Sequence, residues 1–286
     1  MENFNNFESV KRFNPLNDYL FYKVFGVPGA EKQLLGFLNA VLGRSGKKII
    51  NSVEIMENNS IAADIISGKS CVLDVRAILE DGTKVNIEVQ LRNEHNMDRR
   101  SLFYWSRMYS ENVKKGHEYH KFPDAIAINI VDFDFPADGS FHSCFHLRED
   151  AQPELILTSA LEIHFINMVR WRKIKNKDIC NPLHRWLVWF DETSPPELIE
   201  EVVRMDVAIM TAEDEKLYFS QDENERDLYR RRLLATMDYN SGMNYAREEG
   251  IREGKKEIAG KLKQLGSSIE QIAEITGLTS DEIEDV

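Results

Sequence analysis

The chain has 286 residues, 42% of them hydrophobic, and a formal net charge of −12 at pH 7. That length can bury one sizeable core and still carry an accessory segment. No apolar run approaches the roughly 18 residues of a membrane span, and MENFNNFESVKRF at the start has no hydrophobic signal core, so a soluble, cytoplasmic chain with no membrane partner is expected.

The acidity is unevenly spread. Residues 191–227 hold 13 Asp and Glu against 3 Lys and Arg, a net of −10, which leaves −2 for everything else. A nucleic-acid partner is therefore compatible with the rest of the chain, whose basic residues are clustered. The three cysteines, Cys71, Cys144 and Cys180, are odd in number and far apart, which fits buried thiols in a reducing compartment better than a disulfide framework or a paired-cysteine metal site.

In chain order, Asn14–Gly26 predicts a short helix capped by Asn17 or Asp18 and ended by Gly26. Lys23 on it is either a surface lysine or a positive charge turned toward a site. Pro28–Leu42 is an amphipathic helix with Leu34, Leu35, Leu38, Val41 and Leu42 on one side. Glu31 near its start either favours the helix N-terminus electrostatically or adds a metal carboxylate. A short strand is expected over Ile49–Met56.

The central stretch, Ser70–Leu91, reads as two strands, Cys71–Leu79 and Lys84–Leu91, joined by Glu80-Asp81-Gly82. A three-residue loop ends in a left-handed residue, which glycine accepts cheaply. That loop pairs Leu79 with Thr83, and the same register sets Asp74 across from Glu88. A two-residue loop would put the two acids on opposite faces. Asn86, Glu88 and Gln90 share one face of the second strand. Two adjacent carboxylates repel, and a divalent cation removes the conflict; Mg²⁺ takes a few carboxylate oxygens and keeps waters. A solvated hairpin face is the structural alternative, although Asp74 shares its face with Val72 and Ile78, which points to burial and a high cost for an unpaired carboxylate.

Asp98–Lys115 is expected to be a helix with Leu102, Trp105, Tyr109 and Val113 facing the core. Arg100, Tyr104, Arg107 and Glu111 would lie opposite, as phosphate contacts or as a solvated face. Asp124–Phe135 is apolar enough for a central strand, and further strands fit Phe141–Leu147 and Leu161–Val169. His142, Cys144 and His146 share a strand face. Straight-strand neighbours two apart diverge and no fourth ligand is evident, so they read as packing residues. Val169–Lys177 holds Arg170, Arg172, Lys173, Lys175 and Lys177 around Trp171, suited either to a nucleic-acid backbone or to a basic strand edge that blocks aggregation. Pro182–Phe190 is a short apolar helix. Beyond Thr193-Ser194-Pro195-Pro196 the chain turns helical, acidic and then basic. The tail has Gly250 and Gly254 within a frayed or extended helix, then two short helices capped by Ser268 and by Thr279 or Ser280 around Gly277. The second of these is acidic, which suits a packing or dimerisation hairpin better than a reader of base edges.

The segments NDYLFYKVFG, LDVRA…DGTKVNIEVQL, RRSLFYWSRMYSENVKKG and DAIAINIVDFDF, with the tail from EGIREGKKEI onward, resemble in order and spacing the PD-(D/E)xK nuclease superfamily. More closely they resemble its bacterial recombination-promoting nuclease family, often labelled transposases. The resemblance implies a metal-dependent DNA endonuclease with a part in DNA recombination. Asp74 matches the family's strand aspartate and Glu88 its acidic residue, both as ligands of Mg²⁺ or Mn²⁺ with help from the carbonyl of Val89. Gln90 stands at the final lysine position. Glutamine carries no charge and takes no proton, so it can only hold a water or a metal ligand by hydrogen bonds. Nothing in the motifs shows strand transfer or recognition of specific ends.

These readings predict an α/β fold: a mixed central sheet of four to six strands flanked by helices, a restriction-endonuclease-like core, with a helical C-terminal extension. The expected divisions are a nuclease-like domain over 14–192, a helical acidic extension over 193–240, and a helical tail over 241–286 ending in the small helix-turn-helix-like hairpin. DNA is the expected partner, held by Arg100, Tyr104, Arg107, Arg170, Arg172 and Lys173, and a homodimer through the C-terminal helices is a further expectation. The alternatives are a DNA-binding module that does not cut and a protein-interaction module, both on the same fold.

Overall fold

The computed structural model describes residues 13–43, 49–56, 75–111 and 118–286. Two helices, α1 (Asp18–Phe25) and α2 (Glu31–Leu42), precede β1 (Val53–Ile55), β2 (Val75–Leu79) and β3 (Lys84–Gln90). Helix α3 (Met97–Ser110) leads to β4 (Ala125–Val131), β5 (His142–Phe145) and β6 (Leu161–Asn167). The helices α4 (Met168–Arg172), α5 (Pro182–Phe190), α6 (Pro196–Met205), α7 (Val207–Gln221), α8 (Glu223–Gln264), α9 (Ile269–Thr276) and α10 (Ser280–Glu284) follow.

The six strands form one sheet in the order β1-β2-β3-β4-β6-β5. β3, β4 and β6 run parallel at its centre, while β1, β2 and β5 are antiparallel to their neighbours. Every residue of β4 is buried, as the unbroken run AIAINIV requires of a strand covered on both faces. This is the mixed, helix-flanked α/β sheet that the sequence predicts.

The hairpin takes the three-residue loop. The Leu79 amide donates to the Thr83 carbonyl at 2.9 Å, the Gly82 amide donates to Leu79 O at 2.9 Å, and Gly82 has φ +85°. The paired residues run from Val75 with Ile87 to Ile78 with Lys84. The expected first strand begins at Cys71; its residues 71–74, Asp74 among them, lie outside the described residues.

Helix α1 starts where expected, with Asn17 Oδ1 accepting from the Tyr19 and Leu20 amides at 3.1 and 3.2 Å, and it ends at Gly26. α5 has Asn181 as its cap and Pro182 at its first position, where a proline sacrifices no hydrogen bond. Phe25, Phe37, Trp186 and Phe190 meet ring to ring with centroids 5.3–6.0 Å apart and are buried. Gly36 lets α2 and α7 approach: a Cβ there would fall 2.3 Å from the Ala208 Cβ.

Several boundaries and faces differ from the sequence reading. Within Val169–Lys177 the chain leaves the sheet as α4, with Asn167 capping the turn by accepting from the Arg170 amide. The glycines Gly250 and Gly254, by contrast, sit inside the continuous α8, the extended helix of the two readings of that stretch. On α3 the inward residues are Met97, Ser101 and Met108, while Leu102 is exposed. Lys23 pairs with Glu225 at 3.1 Å, which fixes it within the helical layer.

The chain divides into two compact units between Tyr229 and Arg230. In the second, Ala259, Ile272, Leu278 and Ile283 form a small core. Ser268 and Thr279 each complete a capping box, and Gly277 supplies the left-handed C-cap at φ +67°. The terminal hairpin thus packs against α8, as the packing reading of this stretch expects.

Candidate active site

The parallel ladder aligns Glu88 with Asn129 and Phe165 across β3, β4 and β6. Neighbours in a ladder point the same way, so these three side chains share one sheet face with Asn86 and Gln90. α3 lies across this face. Met97 packs with Ala127, Val131, Ile163 and Phe165, and Trp105 is packed against the same cluster.

Polar contacts pin the helix along its length. The Arg100 Nε donates to Glu88 Oε1 at 2.7 Å. Ser101 Oγ donates to Asn129 Oδ1 at 3.1 Å, and the Asn129 amide in turn donates to the His164 carbonyl at 3.0 Å. Trp105 Nε1 donates to Ala125 O at 2.8 Å. At the far end, Lys84 Nζ donates to the carbonyls of Met108 and Glu111 at 2.9 and 3.0 Å, a cation at the negative end of the helix. Glu111 is also held by Arg76, whose hydrogen bond keeps its carboxyl below the usual range.

Glu88 is 1% exposed and its partner Arg100 18%. Burial disfavours the Arg100 charge, but the Glu88 carboxylate outweighs it and raises the guanidinium pKa above its ordinary value. A buried carboxylate with a charged, hydrogen-bonded partner is an oriented ligand atom in a low-dielectric setting. Gln90, two residues on, is half-buried at the C-terminal end of β3, and its carbonyl accepts from the Asp132 amide at 3.0 Å. Clefts beyond the carboxyl ends of parallel strands are where open α/β sheets bind ligands.

The other expected contacts separate into two groups. Tyr104 is half-buried, with the Arg100 guanidinium 5.5 Å from its ring centre, and Arg107 is exposed on α3. In the 170–177 cluster, Arg170 donates to Asp134 Oδ1 at 2.6 Å and to the Gly139 carbonyl. Arg172 grips both oxygens of Asp132 and also reaches Asp191 at 3.2 Å. Lys177 lies 3.5 Å from Asp191 and over the Trp171 ring. Asp191 is fully buried. Burial pushes its carboxyl up, but Thr193 and Arg172 together hold it below the ordinary value. Lys173 is exposed.

The sequence reading thus identified Glu88 and its strand and missed what holds them. Ser101 and Asn129 carried no motif, and the carboxylate partners of Arg170 and Arg172 come from distant loops. The one signal was the polar Asn129 inside an otherwise apolar strand.

Hard oxygen donors on this face, the Glu88 carboxylate and the Gln90 carboxamide, suit a divalent cation of the magnesium class. No helix among the described residues is long and apolar enough to cross a membrane. No curated protein and no solved structure gives a significant match to this chain. A family model described as PD-(D/E)XK nuclease family transposase matches residues 15–246, which span the sheet, the buried glutamate and the helix laid across it, and the chain belongs to that family.

Proposed function

We propose that this chain is a divalent-metal-dependent DNA endonuclease, with Asp74 and Glu88 as ligands of Mg²⁺ or Mn²⁺ and Gln90 as the residue that orients the attacking water. The observation that carries the reading is Glu88: a carboxylate 1% exposed on an inner strand, fixed by Arg100 at 2.7 Å. The hairpin register supports it, since Val75 pairs with Ile87 and Ile78 with Lys84 in the three-residue-loop register on which the sequence reading of the acid pair rests.

When bound, the metal supplies Lewis-acid activation of water and positive charge at the scissile phosphate. Arg100, donating to Glu88 Oε1 at 2.7 Å, keeps that carboxyl aimed. Gln90 accepts from and donates to the water but does not take its proton. Tyr104, Arg107 and Lys173 would contact the DNA backbone, and Arg100, Arg170 and Arg172 would act chiefly through the carboxylates they hold. The exposed Met237, Ile251 and Ile258 of α8, spaced by multiples of seven residues, are where a second copy would pack.

A second reading, a nuclease-like module that binds DNA without cutting it, is favoured by one feature. Gln90 stands where the superfamily pattern has lysine, and Arg100 is already engaged with Glu88. Supercoiled plasmid with purified protein and Mg²⁺ distinguishes the two. Nicking that disappears in Asp74→Ala and with chelator supports the endonuclease; a gel shift equal in wild type and variant, without nicking, supports the binding module.

A further inference from the structure

The antiparallel edge pair β5–β6 gathers a set of side chains that the carboxylate site does not use. Cys144 pairs with His164, and the same register runs from His142 opposite Ile166 to Phe145 opposite Ile163. Ser143, opposite Phe165, falls in the row of Glu88 and Asn129. Cys144 and His164, one residue on, therefore face the other side of the sheet.

On that side the groups converge. His146 Nε2 lies 4.0 Å from Cys144 Sγ and 3.9 Å from Glu162 Oε2. One ligand atom from each of Cys144, His146 and Glu162 lies within 4.8 Å of the others. His164 Nε2 is 2.7 Å from Glu162 Oε1, and His164 Nδ1 is 2.9 Å from His142 Nε2. The two ring nitrogens of His164 thus bridge Glu162 and His142. Glu162 and His164 are essentially buried and His142 is 6% exposed, whereas Cys144 opens to solvent.

We propose that Cys144, His146 and Glu162 form a binding site for a borderline-soft divalent cation of the zinc class, on the opposite face of the sheet from Glu88. Thiolate, imidazole and carboxylate are the zinc donor set, and three protein ligands with an open fourth position leave room for water. Around tetrahedral zinc, with bonds of about 2.3 Å to sulfur and 2.0–2.2 Å to nitrogen or oxygen, donor atoms sit roughly 3.3–3.5 Å apart. The two spacings at His146, 4.0 and 3.9 Å, need to contract by about half an ångström, and Cys144 and Glu162, within 4.8 Å of each other, close in with them. The His142–His164–Glu162 relay is the hydrogen-bonded outer layer that fixes a ligating carboxylate. The ligands come from both partners of the strand pair, so the ion ties the four-residue edge strand β5 to β6 and closes that edge of the sheet.

The sequence shows half of this set as HSCFH. Glu162 and His164 are two polar residues at strand period in the apolar LEIHFIN, and they complete it from across the ladder.

The test uses the full chain, stripped of metal and then titrated with Zn²⁺ and with Co²⁺ as a spectroscopic probe. Expected are one equivalent of Zn²⁺, a thiolate-to-cobalt charge-transfer band, and a higher melting temperature with zinc. Cys144→Ser removes the band, and Cys144→Ser or His146→Ala each weakens Zn²⁺ at least tenfold. Cys144 opens to solvent, so Cys144→Ser removes the thiol without touching the core; His146 is 17% exposed, and the circular dichroism spectrum of His146→Ala checks that it folds. Asp74→Ala leaves zinc binding unchanged. Absence of a stoichiometric site, or a cobalt band that survives Cys144→Ser, overturns the proposal.

Discussion

Replacing Arg100 with methionine keeps most of the apolar stem and removes the charge that faces Glu88. Removing one partner of a buried ion pair costs about 3–5 kcal/mol, because the other charge stays in a low-dielectric site without compensation. Glu88 is 1% exposed and meets that condition; Arg100 is 18% exposed, and water reaching its vacated place lowers the cost. The expectation is therefore about 2–4 kcal/mol, or roughly 5–15 °C in Tm for a unit of this size. Urea unfolding followed through the buried Trp171, Trp186 and Trp189 measures it. Adding Glu88→Gln to Arg100→Met removes the buried charge that has lost its arginine, so the double variant is more stable than Arg100→Met alone, with a coupling energy above about 1 kcal/mol. A cost for Arg100→Met below about 0.5 kcal/mol, or strictly additive effects, would refute the claim that this pair fixes the carboxylate.

Two further outcomes follow from the same contacts. Asp191 is held below its ordinary pKa by Thr193 and Arg172 against the effect of burial. Its contribution is present above the unfolded carboxylate value of about 3.9 and is lost as pH falls through the lower folded value. Asp191→Asn is thus expected to destabilise by about 2–4 kcal/mol at neutral pH, with the difference from wild type shrinking as the medium is acidified below about pH 4; a difference independent of pH contradicts the assignment. Gly82→Ala, at φ +85° in open space, costs about 1–2 kcal/mol through backbone strain alone, and denaturant midpoints should show that loss with an unchanged m-value.

The parts of the fold set by local chemistry were legible. The three-residue Glu80-Asp81-Gly82 loop set the strand register, the Asn17, Ser268 and Thr279 caps placed three helix starts, and the apolar run Ala125–Val131 announced a central strand. The face of α3 was misread for a physical reason. That helix lies on a strip of sheet containing Glu88 and Asn129, so its inward side mixes Met97, Trp105 and Met108 with the polar Ser101, Arg100 reaches Glu88, and Leu102 is left exposed. The arginines of 170–177 were legible as a basic cluster but not as partners of Asp132, Asp134 and Asp191, which lie 19 to 40 positions away. Alternation on one strand put Glu88 on a face with Asn86 and Gln90, which the ladder bears out, whereas Asp74 lies outside the described residues.

The most direct test of the central claim is cleavage of supercoiled plasmid by the purified chain with Mg²⁺ at low salt, beside Asp74→Ala, Glu88→Gln and a chelator control. The account predicts nicked or linear product with wild type alone, and Glu88→Gln inactive while retaining a native circular dichroism spectrum. Cleavage that persists in both acid variants, or a folded wild type that binds DNA and never cuts it, would contradict the endonuclease assignment.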